Sequence, residues 1–123
     1  MKDVSFIILY VENPKASEAF YADLLGRQAV DASPNFVMFA MASGLMLGLW
    51  KRTEVEPAVS AAAGGSEIAF AEENKAAVDA RCADWRKRGL TIVQQPTDMD
   101  FGRTFVALDP DGHRLRVFTP SQA

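Results

Sequence analysis

The chain has 123 residues, is 49% hydrophobic and 24% charged, and carries a net charge of -3. That is enough for one domain with a real core, and the acidic balance, broken only by the short Arg86-Lys87-Arg88 run, excludes a general nucleic-acid binder. The single cysteine, Cys82, excludes an internal disulfide, no apolar stretch approaches the roughly 20 residues of a membrane helix, and Met1-Lys2-Asp3 leads into too short an apolar run for a signal peptide, so a soluble cytoplasmic protein is expected.

Phe6 to Val11 is a continuous apolar run and reads as a strand covered on both faces. Asn13-Pro14 opens a helix, with Asn at the N-cap and Pro at the first helical position. Ala16, Ala19, Phe20 and Leu24 form its expected apolar stripe, and Gly26 ends it. Short strands are predicted at residues 28–31, 36–41 and 45–50, with turns at Ser33-Pro34-Asn35 and Ser43-Gly44. Residues 51–65 contain Pro57, Ala61-Ala62-Ala63 and Gly64-Gly65, lack periodicity and read as a linker. A strand at 67–71 precedes a second helix, capped by Asn74, striped by Val78, Cys82 and Trp85, and stopped at Gly89. Strands at 90–94, 103–108 and 113–119 follow. Between them lie a loop at 95–101 and a type I turn at Asp109-Pro110-Asp111-Gly112.

The two halves repeat one another. Ile7-Ile8-Leu9-Tyr10-Val11-Glu12-Asn13 parallels Ile68-Ala69-Phe70-Ala71-Glu72-Glu73-Asn74. Ala22-Asp23-Leu24 matches Ala83-Asp84-Trp85, and Gly44-Leu45-Met46-Leu47 matches Gly112-His113-Arg114-Leu115. The order is βαβββ twice, an α+β pattern: module one over 5–50, the linker, and module two over 66–119. Paired half-barrel sheets with helices on their outer faces follow, with equivalent positions facing one shared cavity.

Leu9-Tyr10-Val11-Glu12-Asn13, then Ala19-Phe20-Tyr21 and Leu24-Leu25-Gly26, resemble the first module of vicinal oxygen chelate proteins, the glyoxalase, bleomycin-resistance and extradiol-dioxygenase superfamily. Gly102-Arg103, Asp109-Pro110-Asp111-Gly112, Leu115 and Val117 resemble its last hairpin, so the likeness spans residues 4–119, read as a single domain. The resemblance implies a divalent metal in the family's enzymes, held by one residue from the first and one from the last strand of each module. The matching positions here are Phe6, Gly48, Glu67 and Arg116, of which only Glu67 is a donor. No metal and no other cofactor is therefore expected. Glu67 and Arg116 are expected to form an ion pair at the vacated position, either satisfying each other alone or also holding a polar ligand group.

Strand alternation assigns faces. Ile7, Leu9, Val11, Ile68, Phe70, Leu115 and Val117 should face the helices. Phe6, Ile8, Met46, Trp50, Ala69, Arg114 and Phe118 should line the cavity, with Phe36 and Met38, or else Phe39 and Met41. Gly48 and Ala69 would leave room for a flat aromatic ligand. Trp50, beside Lys51-Arg52, is the candidate stacking residue, and Phe101 the tip of a flap over the cavity or of a plain surface loop. His113 reads as a surface turn residue and Cys82 as a small core hydrophobe.

Leu47-Gly48-Leu49-Trp50 and Thr97-Asp98-Met99-Asp100-Phe101-Gly102-Arg103-Thr104-Phe105 are most similar to the family's antibiotic-binding branch, particularly the phenazine-resistance type. That likeness implies metal-free sequestration of a planar aromatic compound by a homodimer, without nucleic acid or membrane. The ligand-binding set would be Trp50, Phe6, Met46, Gly48, Glu67, Arg116, Phe36 and Phe101. The alternatives are a glyoxalase-like lyase or isomerase using Glu67, and a protein-interaction module without a small ligand. A general acid or base needs a raised carboxylate pKa, and Arg116 beside Glu67 would lower it.

Overall fold

The computed structural model describes residues 1–121. The elements run β1 (Phe6–Val11), α1 (Pro14–Leu25), β2 (Asp31–Ala32), β3 (Phe36–Ala40), β4 (Met46–Lys51), β5 (Glu67–Ala71), α2 (Lys75–Lys87), β6 (Thr91–Met99), β7 (Gly102–Leu108) and β8 (Arg114–Pro120). The chain divides between Ala61 and Ala62 into two compact units, each a βαβββ module. The fold is α+β, as the sequence pattern indicates.

Each module is one four-stranded mixed sheet, ordered β1-β4-β3-β2 in the first and β5-β8-β7-β6 in the second. The first strand pairs in parallel with the last, and the remaining pairs are antiparallel. The repeat extends to register: Phe6 opposes Met46 in the first sheet, and their equivalents Glu67 and Arg114 oppose each other in the second. Asn13 and Asn74, also equivalent, cap the two helices by accepting from Ala16 N (3.2 Å) and Ala77 N (2.8 Å).

Each helix covers one face of its own sheet. In module two the expected stripe is the buried one: Val78, Cys82 and Trp85. Trp85 meets Phe70 and Phe105 edge to face, with ring centroids 6.0 and 5.4 Å away. In module one the stripe differs from expectation. Pro14, Ser17 and Tyr21 are buried, Phe20 and Leu24 half-buried, and Ala16 and Ala19 exposed. Apolar residues occur all round this helix, so the stripe counted from them took the wrong phase. The tyrosine, apolar in body and polar at its tip, sets it.

Three further expectations are corrected. β1 is not covered on both faces within its module: Leu9 and Val11 are buried, whereas Phe6, Ile8 and Tyr10 are 40%, 43% and 37% exposed. Residues 51–55 are more than linker: Lys51 ends β4, Arg52–Glu54 form a 3-10 turn, and Val55 is buried. The predicted 95–101 loop is mostly strand. β6 runs to Met99, and Thr97, Asp98 and Met99 pair with Thr104, Arg103 and Gly102. Pro96 reads as a breaker in sequence but lies in an edge strand, within the register shift between Gln94 and Thr97, where a missing N–H is tolerated.

Trp85→Ala is expected to cost about 3–5 kcal/mol, the range for truncating a core aromatic. Urea unfolding of the variant checks this, and a loss below about 1 kcal/mol would show that α2 is not held by this contact.

Candidate functional site

The face of each sheet opposite its helix carries the sequence-predicted residues. In module one, alternation places Phe6, Ile8 and Tyr10 of β1 on that face. Met46, Gly48 and Trp50 stand opposite them in register on β4, and Phe36 and Met38 stand opposite Trp50 and Gly48 on β3. The register left open in sequence is thus settled for Phe36 and Met38, while Phe39 is fully buried. Trp50 sits between two rings, with Tyr10 at 6.4 Å and 73° and Phe36 at 6.2 Å and 70°. Tyr10 was absent from the expected lining, although it continues the period-two pattern of Phe6 and Ile8.

Gly48 does not leave open room, contrary to expectation. A Cβ built there would lie 2.6 Å from Phe36 Cζ, so the phenyl ring already fills the space of the missing side chain. Glycine at this position lets the tip of the Phe36 ring come down close to the β4 backbone. The resulting surface is a half-exposed patch of Trp50, Tyr10, Phe36, Phe6, Ile8 and the methionines.

In module two the same face is polar at its centre. Arg116 donates through Nε to Glu67 Oε1 at 2.6 Å and through Nη2 to Glu67 Oε2 at 3.2 Å, a two-point fork. Its Nη1 donates to Thr104 Oγ1 at 3.0 Å and to Gln94 Oε1 at 3.3 Å. Thr104 is buried, and its hydroxyl donates a hydrogen bond to Val117 O at 2.9 Å. The guanidinium carbon lies 5.7 Å from the centre of the Phe101 ring, which meets Phe118 edge to face at 6.4 Å. The Arg116 hydrogen bonds hold the Glu67 carboxyl below its ordinary range, against a smaller opposing effect of burial, with further lowering from the charges of Arg116 and Arg114.

Phe101 is the tip of a tight hairpin rather than of a long flap. Ser121 fastens it, donating N–H to Phe101 O at 2.8 Å and Oγ–H to Asp100 O at 3.1 Å. Gly102 has φ +146, and a Cβ there would collide with the Thr119 carbonyl, so the hairpin closes directly on β8. Behind it, Arg103 bridges Asp79 (2.7 Å) and Asp98 (3.1 Å).

The structure thus groups Trp50, Phe36 and Gly48, with Phe6 and Met46 on the same sheet face, and groups Glu67, Arg116 and Phe101 in the other module. The four positions the family uses for metal do not fit one. Phe6 and Gly48 offer no donor atom, and both oxygens of Glu67 are engaged by the cationic Arg116. Among the described residues no group of three or more His, Cys, Asp and Glu is placed to hold a metal ion. His113 lies in the turn as expected, its N–H donating to Asp109 Oδ1 at 2.9 Å, and Cys82 is buried, which raises its thiol pKa. No helix among the described residues is long and apolar enough to cross a membrane.

Two βαβββ modules, each with its first strand parallel to its last, define a glyoxalase-like α+β protein. The family model described as Glyoxalase/Bleomycin resistance protein/Dioxygenase superfamily matches residues 4–117, and the chain belongs to that superfamily. It is 31% identical over 113 residues to the phenazine antibiotic resistance protein EhpR of Enterobacter agglomerans, covering 89% of this chain and 86% of that protein. A protein of Agrobacterium tumefaciens solved by solution NMR shares 50% identity with a TM-score of 0.91, over 99% of this chain and all of that one. A glyoxalase-related enzyme from Fulvimarina pelagi, 22% identical, superposes with a TM-score of 0.83 over 97% of this chain and 88% of its own.

Glu67→Gln is expected to destabilise the protein by about 1 kcal/mol at neutral pH, less than the roughly 1.5–3 kcal/mol of a buried hydrogen bond to a charged group because Glu67 is exposed to solvent. Removing both partners should cost less than the two single losses together. Because the folded carboxyl titrates below its ordinary 4.5, its contribution is complete above that value and lost as pH falls through the lowered one. Urea midpoints measured from pH 6 to 3 should therefore fall more steeply for wild type than for Glu67→Gln. Parallel curves would reject the pair as a contributor.

Proposed function

We propose that this protein binds and sequesters a planar aromatic small molecule, reversibly and without a metal. The observation that carries the proposal is Trp50 held edge to face between Tyr10 and Phe36 on a sheet face that its own module leaves uncovered. An indole fixed by two rings and half-exposed offers a flat wall at little entropic cost. Stacking and burial suffice for sequestration, and no bond need be made or broken. The likeness to a phenazine antibiotic resistance protein supports a tricyclic aromatic antibiotic as the ligand. The lowered pKa of Glu67 weakens it as a base and so speaks against a lyase or isomerase built on that carboxylate. The proposal includes action as a homodimer in the cytoplasm, and light scattering of the purified protein tests the dimer.

Trp50→Ala should weaken phenazine binding by at least about 1 kcal/mol in calorimetric titration, the scale of one stacking contact. Unchanged affinity rejects the stacking role. Trp85 is the only other tryptophan and is buried, so in a Trp85→Phe background the fluorescence reports Trp50 alone and should be quenched by phenazine.

Elemental analysis of purified protein should find no stoichiometric zinc, nickel, manganese or iron. A stoichiometric metal lost in Glu67→Gln would overturn the metal-free proposal.

A further inference from the structure

We infer that Met99 is an oxidation-sensitive modification site, and that Gln94 is placed to hold the oxygen of its sulfoxide and to pass the change on to Arg116. Every group involved belongs to module two.

Of the five methionines, Met38, Met41 and Met46 are half-buried, and only the terminal Met1 and Met99 are exposed. Met99 is 45% exposed at the end of the edge strand β6. Its sulfur accepts a hydrogen bond from Gln94 Nε2 at 3.4 Å, and Gln94 Oε1 accepts from Arg116 Nη1 at 3.3 Å. A guanidinium has donors and no acceptor, so Arg116 dictates which way round the amide sits. The Gln94 oxygen must face Arg116, and its NH2 is left aimed at the sulfur. A thioether is a weak acceptor, so this oriented donor is spent on a poor partner. A sulfoxide oxygen in the same place is a polar and much better one.

The oxidant class is a peroxide, here hydrogen peroxide. A sulfur lone pair attacks one peroxide oxygen, the S–O bond forms as the O–O bond breaks, and the departing hydroxide takes the proton of the transferred oxygen and leaves as water. Sulfur gives up two electrons and the peroxide gains them. In a core this change is disruptive, because an apolar side chain becomes polar. At Met99 the side chain is already in water, and a donor stands ready. Stronger donation by the Gln94 NH2 also polarises its carbonyl, which makes it a better acceptor for Arg116. Oxidation at the strand end therefore tightens the hydrogen bonds around the guanidinium instead of loosening them.

The experiment is treatment of the full chain with limiting hydrogen peroxide, followed by peptide mass spectrometry and thermal melts read by circular dichroism. Met99 is expected to gain one oxygen along with Met1, ahead of Met38, Met41 and Met46. The wild-type midpoint should rise by about 2 °C, the size of a partly exposed hydrogen bond in a domain of this length. Methionine sulfoxide reductases should reverse the rise. Met99→Leu, which carries any effect of the other methionines, should show no rise. Gln94→Glu keeps an acceptor for Arg116 and loses the NH2, so its midpoint should stay level or fall on oxidation. Each variant is compared with its own untreated form, and the wild-type melt decides the sign without any variant. Met99 left intact when Met38, Met41 or Met46 is oxidised overturns the site. A wild-type midpoint that does not rise, or an equal rise in Gln94→Glu, overturns the role of Gln94.

Discussion

Each sheet has two faces and a single helix to cover it. The rest of the structure follows from how the uncovered faces are handled. A sheet face stripped of its helix must be polar, be covered by something else, or carry apolar groups into solvent at a cost of about 25 cal/mol per Å². The two modules use different answers on one backbone plan. Module one keeps aromatic and sulfur side chains there, supported by ring contacts to Trp50. Module two places an arginine at the centre and surrounds it with acceptors.

A mostly buried guanidinium is tolerable only when its donors are spoken for. Glu67 takes two of them, Thr104 and Gln94 two more, and the guanidinium carbon lies over the Phe101 ring, 5.7 Å from its centre. The same set of contacts disposes of the one carboxylate among the family's four ligand positions. The ion pair thus engages both oxygens of the only donor among those four positions. Arg103 does comparable service on the helix side, where its salt bridges to Asp79 and Asp98 tie the β6–β7 hairpin to α2.

Much of this was legible in the residues. Asn caps, a stopping glycine, β-rich runs and the internal repeat gave the order of elements, because each is a local signal. The family resemblance, with the repeat agreeing, also pointed to Glu67 and Arg116 as an ion pair, and the two side chains do meet. The failures share a cause. The phase of α1, the continuation of β6 through Pro96, and the exposed side of β1 all depend on which neighbour an element packs against or fails to pack against. Periodicity cannot supply that when apolar residues occur on every side of a helix, or when an edge strand tolerates a proline. Gly48 was misjudged for the same reason. A missing side chain looks like a vacancy in sequence, and only the fold reveals that Phe36 occupies it.

That occupancy makes positions 36, 48 and 50 a single mechanical unit. Any residue larger than glycine at 48 meets the Phe36 ring first, and that ring must swing away from the indole it braces. A donor side chain introduced at 48 to rebuild a metal ligand would therefore disturb the aromatic surface before it bound anything. A donor at 48 therefore calls for a shift of the Phe36 ring as well, so the two positions are expected to change together.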